Sequence, residues 1–216
     1  MPLPIAHSAA GIASYLLFAK RDLEHSRRRR ILLGLVFVAL ANGSDLDFIP
    51  GILIGEPNRF HHGPSHALIT TAALGAAVAM LLRRLMPASP RAALYGCCVL
   101  AAISHPLLDM LSADTSLPFG APILWPFSSE YFMSPVSVFS DVARGSEGRL
   151  NFLLSMLSLH NARTVLIEVV FVGCLASAWY ALEGASGSSR RRAGLVASLL
   201  LAGAYCYVRI GLSLAA

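Results

Sequence analysis

Residues 91–109 read RAALYGCCVLAAISHPLLD, an apolar run that ends on a histidine and an aspartate four residues apart. Its length approaches the ~20 residues a helix needs to cross the hydrocarbon of a bilayer. In such a helix His105 and Asp109 fall on one face, one turn apart, which makes a two-ligand platform for a cation. Pro106 is tolerated there if neighbouring groups satisfy the carbonyl it frees, at the cost of a kink. Alone, the pair also suits a hydrogen-bonded helix end.

Working outward, further apolar stretches cover residues 4–19, 31–43, 66–86, 164–182 and 193–215, so about six apolar helices are expected, the first two of them short. The chain is 56% hydrophobic and 13% charged, with a mean hydropathy of +0.63. Those values lie outside the range of a soluble domain of this size. The expected fold is an all-α polytopic membrane helix bundle, one integral membrane domain over residues 1–216.

Charge sets the expected orientation. No charged side chain precedes the first apolar run, and Lys20, Arg21 and Arg27 to Arg30 follow it, the reverse of a cleaved signal peptide. Arg83, Arg84 and Arg91, then Arg190 to Arg192, fall in alternate connections. The positive-inside rule makes these loops cytoplasmic and places the N-terminus and residues 44–65 and 109–163 outside the cytoplasm, in a bacterial-type inner membrane. The net charge of +5 then reflects topology and anionic lipid; no basic and aromatic run points to nucleic acid. Cys97, Cys98, Cys174 and Cys206 lie in apolar runs without a C-x-x-C spacing and read as small buried hydrophobes. Residues 183–192 read as a flexible linker.

Segment 109–163 is long for a simple connection. Phe119, Trp125, Phe127, Tyr131, Phe132 and Phe139 alternate with Pro118, Pro122, Pro126 and Pro135, which suits either an interfacial belt or a lid over a substrate. Residues 146–158 are expected to form a short surface helix.

Two more boundaries carry ligand-type residues. Asp45 and Asp47 close the second apolar run, where carboxylates near hydrocarbon are retained mostly when paired or functional. His61, His62 and His66, in HHGPSH, open the third, with Pro64 and Ser65 suited to a helix start. His7 opens the first. Four separate segments thus deliver His7, Asp45, Asp47, His61, His62, His66, His105 and Asp109 to one side, while His25 sits alone in a cytoplasmic loop. Mixed imidazole and carboxylate donors suit zinc, as one or two ions, with manganese or iron as alternatives.

At these residues the chain resembles the YdjM-type family of membrane-bound metal-dependent hydrolases. The resemblance rests on residues 4–11 with His7, the Asp45-Leu46-Asp47 box, residues 61–66 and the run His105-Pro106-Leu107-Leu108-Asp109, over roughly residues 1–130. It implies an inner-membrane protein with a metal-activated hydrolytic site. The ligand order is more loosely similar to that of all-helical zinc-dependent phospholipases C and related nucleases. Those enzymes carry a second H-x-x-x-D/E pair, whereas here His160 is followed by Thr164, which puts a three-metal cluster in doubt.

For a hydrolase, a bound cation would lower the pKa of water from 15.7 to about 7. Asp47 or His62 would act as general base, and Arg59, Arg144, Arg149 or Arg163 would hold a phosphate, unless each merely reaches for the interface. A site at headgroup depth favours a lipid or lipid-linked (phospho)ester as substrate. Glu168 is expected to pair with Arg163 rather than serve as a further ligand, and Gly34, Gly75 and Gly173 to mark close helix contacts. The rivals are a metal-ion or proton transporter and a non-catalytic scaffold holding a structural metal.

Overall fold

The computed structural model describes residues 2–20, 26–115, 117–145, 148–183 and 189–214. Arg21, His25, Ser146 and residues 184–188 of the expected linker lie outside them, as do the side chains of Arg190 to Arg192 and Cys206.

Each of the six apolar stretches forms a helix. Helix α1 runs Pro4–Ala19, with proline in its first turn, where the missing N–H costs nothing. Helix α2 runs Arg27–Ala41, so the four arginines form its first turn instead of a loop. Ser26 is the reason: its hydroxyl caps the Arg29 amide at 3.4 Å, and arginine is a good helix former. After Asn42 the chain makes a 3-10 turn, Gly43–Asp47, and a short helix α3, Phe48–Ile54, bent 62° from α2. Gly55 ends α3 at a positive φ of 88°, the left-handed cap glycine adopts most cheaply.

A second 3-10 turn, Pro64–His66, leads into α4, Leu68–Leu85, followed by α5, Arg91–Met110. Helix α6, Gly148–Met156, stands where the surface helix was expected, and α7, Leu159–Glu183, and α8, Ser189–Leu214, complete the chain. Among the described residues there is no strand, only two isolated bridges, Ser112 with Phe139 and Ala121 with Phe132.

Three helices are long and apolar enough to cross a membrane: α4, α5 and residues Leu159–Trp179 of α7. The bent pair of α2 with residues 43–54 makes a fourth when counted as one broken span. Helix α1 and the apolar part of α8, Val196–Tyr205, are shorter.

Helix α5 packs against α1, α2 and α4, while α7 joins α1 to α8. Phe18, Phe37, Leu94 and Cys98 fill the shared core, and no disulfide links the described cysteines. Two glycines allow the tightest crossings. A β-carbon on Gly75 would lie 2.7 Å from the carbonyl oxygen of Cys98, and one on Gly11 would lie 2.6 Å from that of Phe37. Gly75 therefore acts as expected, but Gly34 and Gly173 do not: a β-carbon on Gly34 meets only Tyr15 at 3.8 Å, and one on Gly173 meets nothing within 4 Å. Gly34 faces the Tyr15 ring of α1 at ordinary contact distance, with room for a side chain, and Gly173 faces open space.

Candidate metal centre

The ends of α1, α2, α4 and α5 that carry ligand-type residues meet at one place. His7 lies one turn into α1, Asp45 just past α2, His66 just before α4, and His105 and Asp109 in the last turns of α5. His7, His66, His105 and Asp109 are buried. His105 Nε2 lies 3.2 Å from His66 Nε2, 3.4 Å from Asp45 Oδ1 and 3.3 Å from Asp109 Oδ2. His66 Nε2 is 3.8 Å from Asp45 Oδ1 and 3.5 Å from Asp109 Oδ2. For zinc bonds of ~2.0–2.1 Å, the edges of a tetrahedron are about 3.3–3.4 Å, so the inward atoms of His66, His105 and Asp109 are spaced as one ion requires, and Asp45 groups with His105 and His7 beside them.

His7 completes the wall. Its ring stacks on that of His105, with centroids 3.9 Å apart, and its Nε2 lies 3.6 Å from Asp109 Oδ1. Helix α1 has no side-chain cap of its own. Glu168 of α7 supplies it, accepting the Leu3 amide at 2.6 Å and the Ala6 amide at 3.3 Å. The expected pairing of Glu168 with Arg163 is thus replaced: α7 packs on α1, and free helix N–H groups next to a buried carboxylate are the nearer partners.

Around the donors, a second layer fixes which nitrogen faces inward. His105 Nδ1 donates to the Ala41 carbonyl at 2.7 Å, leaving Nε2 as the lone-pair donor. On His66, Nδ1 lies 3.2 Å from Asp47 Oδ2, which also accepts the Ser65 hydroxyl at 2.7 Å. The other oxygen of Asp47 is 3.0 Å from His61 Nδ1. Asp47 therefore orients two imidazoles from behind, and Asp45 points at the centre. The sequence did not say which of the two carboxylates faces the centre; the turn through Gly43–Asp47 decides it.

Do these residues fit a cation? Both ring nitrogens of His7, Oδ1 of Asp45 and both oxygens of Asp109 are buried without a hydrogen-bond partner. Buried polar atoms are otherwise almost always paired. Three carboxylates also converge on His66: burial opposes its charge, but Asp45, Asp47 and Asp109 outweigh it and raise its pKa to about 9. A proton on His66 thus offsets part of the negative charge, and a divalent cation would offset more. The donor set fits.

His61 and His62 behave differently, because burial dominates for both. It depresses His61 to about 4 despite Asp47, and with His61 as neighbour it depresses His62 to about 2. Both are neutral imidazoles at pH 7. His62 adopts a positive φ of 57°, uncommon for a residue with a side chain, and its buried Nε2 has no hydrogen-bond partner.

Beside the centre opens a cleft of about 900 Å³ lined by Asp47, His61, His62, Arg59, Arg144 and Tyr131, among others. The aromatic segment forms part of its wall. It folds back onto the end of α5 through Ser134 N to Met110 O at 2.8 Å and Val138 N to Leu111 O at 2.7 Å, bringing Leu117, Pro118 and Tyr131 to the cleft. Of the four arginines, Arg144 is the buried one, its guanidinium 3.9 Å from Asp114. Arg59 is exposed and pairs with Glu56 at 3.0 Å. Arg149 donates to the Leu53 carbonyl, and neither it nor the exposed Arg163 lines the cleft.

Asp114 escaped the sequence reading. Its Oδ2 accepts the Gly120 amide at 3.0 Å and lies 3.6 Å from His62 Nδ1. No periodicity marks it, since it sits past the end of α5 and reaches the site only because the segment doubles back. His160 stays apart from the centre, donating from Nε2 to the Asp141 carbonyl at 2.8 Å.

The model of the YdjM inner membrane protein family matches residues 1–210, well beyond the roughly 130 residues over which the motif resemblance runs. No curated protein and no solved structure matches the chain.

Proposed function

The chain belongs to the YdjM inner membrane protein family, and on that premise we propose that it is a membrane-embedded, metal-dependent hydrolase acting on a lipid or lipid-linked (phospho)ester. It is an integral membrane protein by its apolar helices. We take all six long helices as spans, with the N-terminus and the site outside the cytoplasm, on the charge bias of the connections.

The observation that carries the reading is the neighbourhood of two features: buried atoms of His7, Asp45 and Asp109 without hydrogen-bond partners, and an open cleft whose wall includes Asp47 and His61 from the layer behind them. Asp45, His66, His105 and Asp109 would hold one ion, zinc by the donor types, with His7 against Asp109; manganese and iron fit the same donors less selectively. When bound, the cation supplies a nucleophile at neutral pH by lowering the pKa of water. Asp47 orients His66 and His61. His62, a neutral imidazole whose Nε2 has no hydrogen-bond partner, is placed to accept a hydrogen bond from the substrate or its attacking water in the cleft, and Arg144 to hold an anionic group of the substrate by charge-assisted hydrogen bonds. Leu117, Pro118 and Tyr131 offer apolar surface for a lipid.

The burial of four donors also favours a second reading, a scaffold stabilised by a structural cation. Transport ranks behind both, because the ionisable cluster lies at one end of the helices and not along a path through them. Metal analysis of the purified protein, then assay against phospholipid and lipid-pyrophosphate panels with His66→Ala and Asp109→Ala controls, separates the three. Bound metal with turnover lost in both variants supports the hydrolase. Bound metal with no turnover supports the scaffold, and ion flux into liposomes supports transport.

A further inference from the structure

Helix α6 wears its apolar stripe on the wrong side for a soluble protein. Leu150, Leu153, Leu154 and, just past its end, Leu157 follow the i, i+3, i+4, i+7 spacing that normally faces a core. Here they are 70%, 55%, 59% and 83% exposed. The inward side is held by Phe152, which is buried, and by Ser155, whose hydroxyl accepts the Gly145 amide at 2.7 Å.

The 3-10 turn and α3 repeat the pattern. Leu46, Ile49, Leu53 and Ile54 are all more than half exposed, and Pro50 between them lines the cleft. The two short helices are tied to each other by their inner sides: the rings of Phe48 and Phe152 lie 5.4 Å apart, and the Arg149 guanidinium donates to the Leu53 carbonyl. Arg149 is the sole charged residue of α6; it is exposed at the edge of the stripe, and the four leucine positions carry the rest of that face. Both helices are too short to cross a bilayer, and their stripes lie at the end of the bundle that holds the cleft.

We infer that α3 and α6 form a paired interfacial platform, lying in one leaflet with these leucines and isoleucines among the acyl chains, so that the cleft opens at the level of the lipid headgroups. The occupant of the stripes is lipid. Eight large apolar side chains turned outward are unfavourable in water but favourable at the boundary between headgroups and acyl chains. The α6 stripe is also continuous with a membrane span, since α7 begins two residues after Leu157 and exposes Leu159, Leu166, Val169 and Val170 in turn. This inference needs only the membrane assignment and stands whether or not the cleft is catalytic.

The test is a depth measurement. In a Trp125→Phe, Trp179→Phe background, single Leu154→Trp and Leu53→Trp variants are placed in phosphatidylcholine nanodiscs with native or brominated acyl chains. The platform predicts that bromolipid removes most of the emission of both probes while aqueous iodide leaves it nearly unchanged. Quenching by iodide and not by bromolipid would show a water-facing surface and overturn the inference. Protection from both quenchers, with Leu154→Cys chains cross-linking to one another, would show that a second copy covers the stripe, which also overturns it. Monodisperse elution and an unchanged helical circular dichroism spectrum establish that each variant is folded.

Discussion

Glu168 and Leu3 are 165 positions apart, yet a carboxylate oxygen of one accepts the backbone N–H of the other at 2.6 Å, four residues before His7. The contact anchors the start of α1 to α7 and so sets where His7 enters the cluster. Replacing Glu168 with Ala leaves the Leu3 amide at the buried helix start without this acceptor, at about 1–3 kcal/mol, while the Ala6 amide keeps the Leu3 carbonyl at 3.2 Å. We expect Glu168→Ala to lower the thermal midpoint in detergent and weaken metal retention, with a smaller loss in Glu168→Gln, which keeps one acceptor oxygen. A wild-type midpoint and metal content in both variants would show that the cap does not set the position of His7.

Asp47 is predicted to act on the cation through His66. Outer carboxylates of this kind typically change metal affinity by about 10–100-fold. Asp47→Asn should therefore weaken binding by that order in competition with a chromophoric chelator, while His105→Ala, which removes an inward nitrogen, should lose the ion altogether. Equal loss in both would place Asp47 among the direct donors.

Gly75 and Gly173 make a matched pair. A side chain on Gly75 meets the Cys98 backbone, whereas one on Gly173 meets open space. Overpacking a tight contact costs about 1–3 kcal/mol, so Gly75→Leu should depress the unfolding midpoint in detergent and Gly173→Leu should leave it unchanged or raise it. The reverse order would mean that the α4–α5 crossing is looser than described.

Arg144 and Arg163 test the anion-holding role. Arg144→Lys keeps the charge but loses the planar fork, and a charge-assisted hydrogen bond contributes about 1.5–3 kcal/mol, so turnover of a phosphate-bearing lipid should fall about tenfold or more. Metal content should stay as in the wild type, and Arg163→Lys should behave as wild type in both assays. Loss of metal in Arg144→Lys would instead mark Arg144 as a support of the cluster.

Much of the fold was legible because apolar length is a one-dimensional property. The run before His105 and the run after His66 each announce a helix, and the convergence of His7, Asp45, His66 and Asp109 follows once helices must lie side by side. The start of α2 was less legible: arginines read as a loop by charge, while a serine cap and helix propensity carry the helix through them. The misjudged glycines show a similar limit, since small residues permit a close crossing without saying which helix face makes it.

By itself the sequence determined the helical segments, the side-chain chemistry at their ends and the clustering of donors at one end of the bundle, because period and length act locally along the chain. Only the tertiary structure decided that Asp45 faces the centre while Asp47 stands behind His66, that Glu168 caps α1, that Asp114 comes to His62 and that Arg144 alone of four arginines is buried at the cleft. Those outcomes depend on contacts between residues many positions apart, through turns and a returning segment that have no period to read.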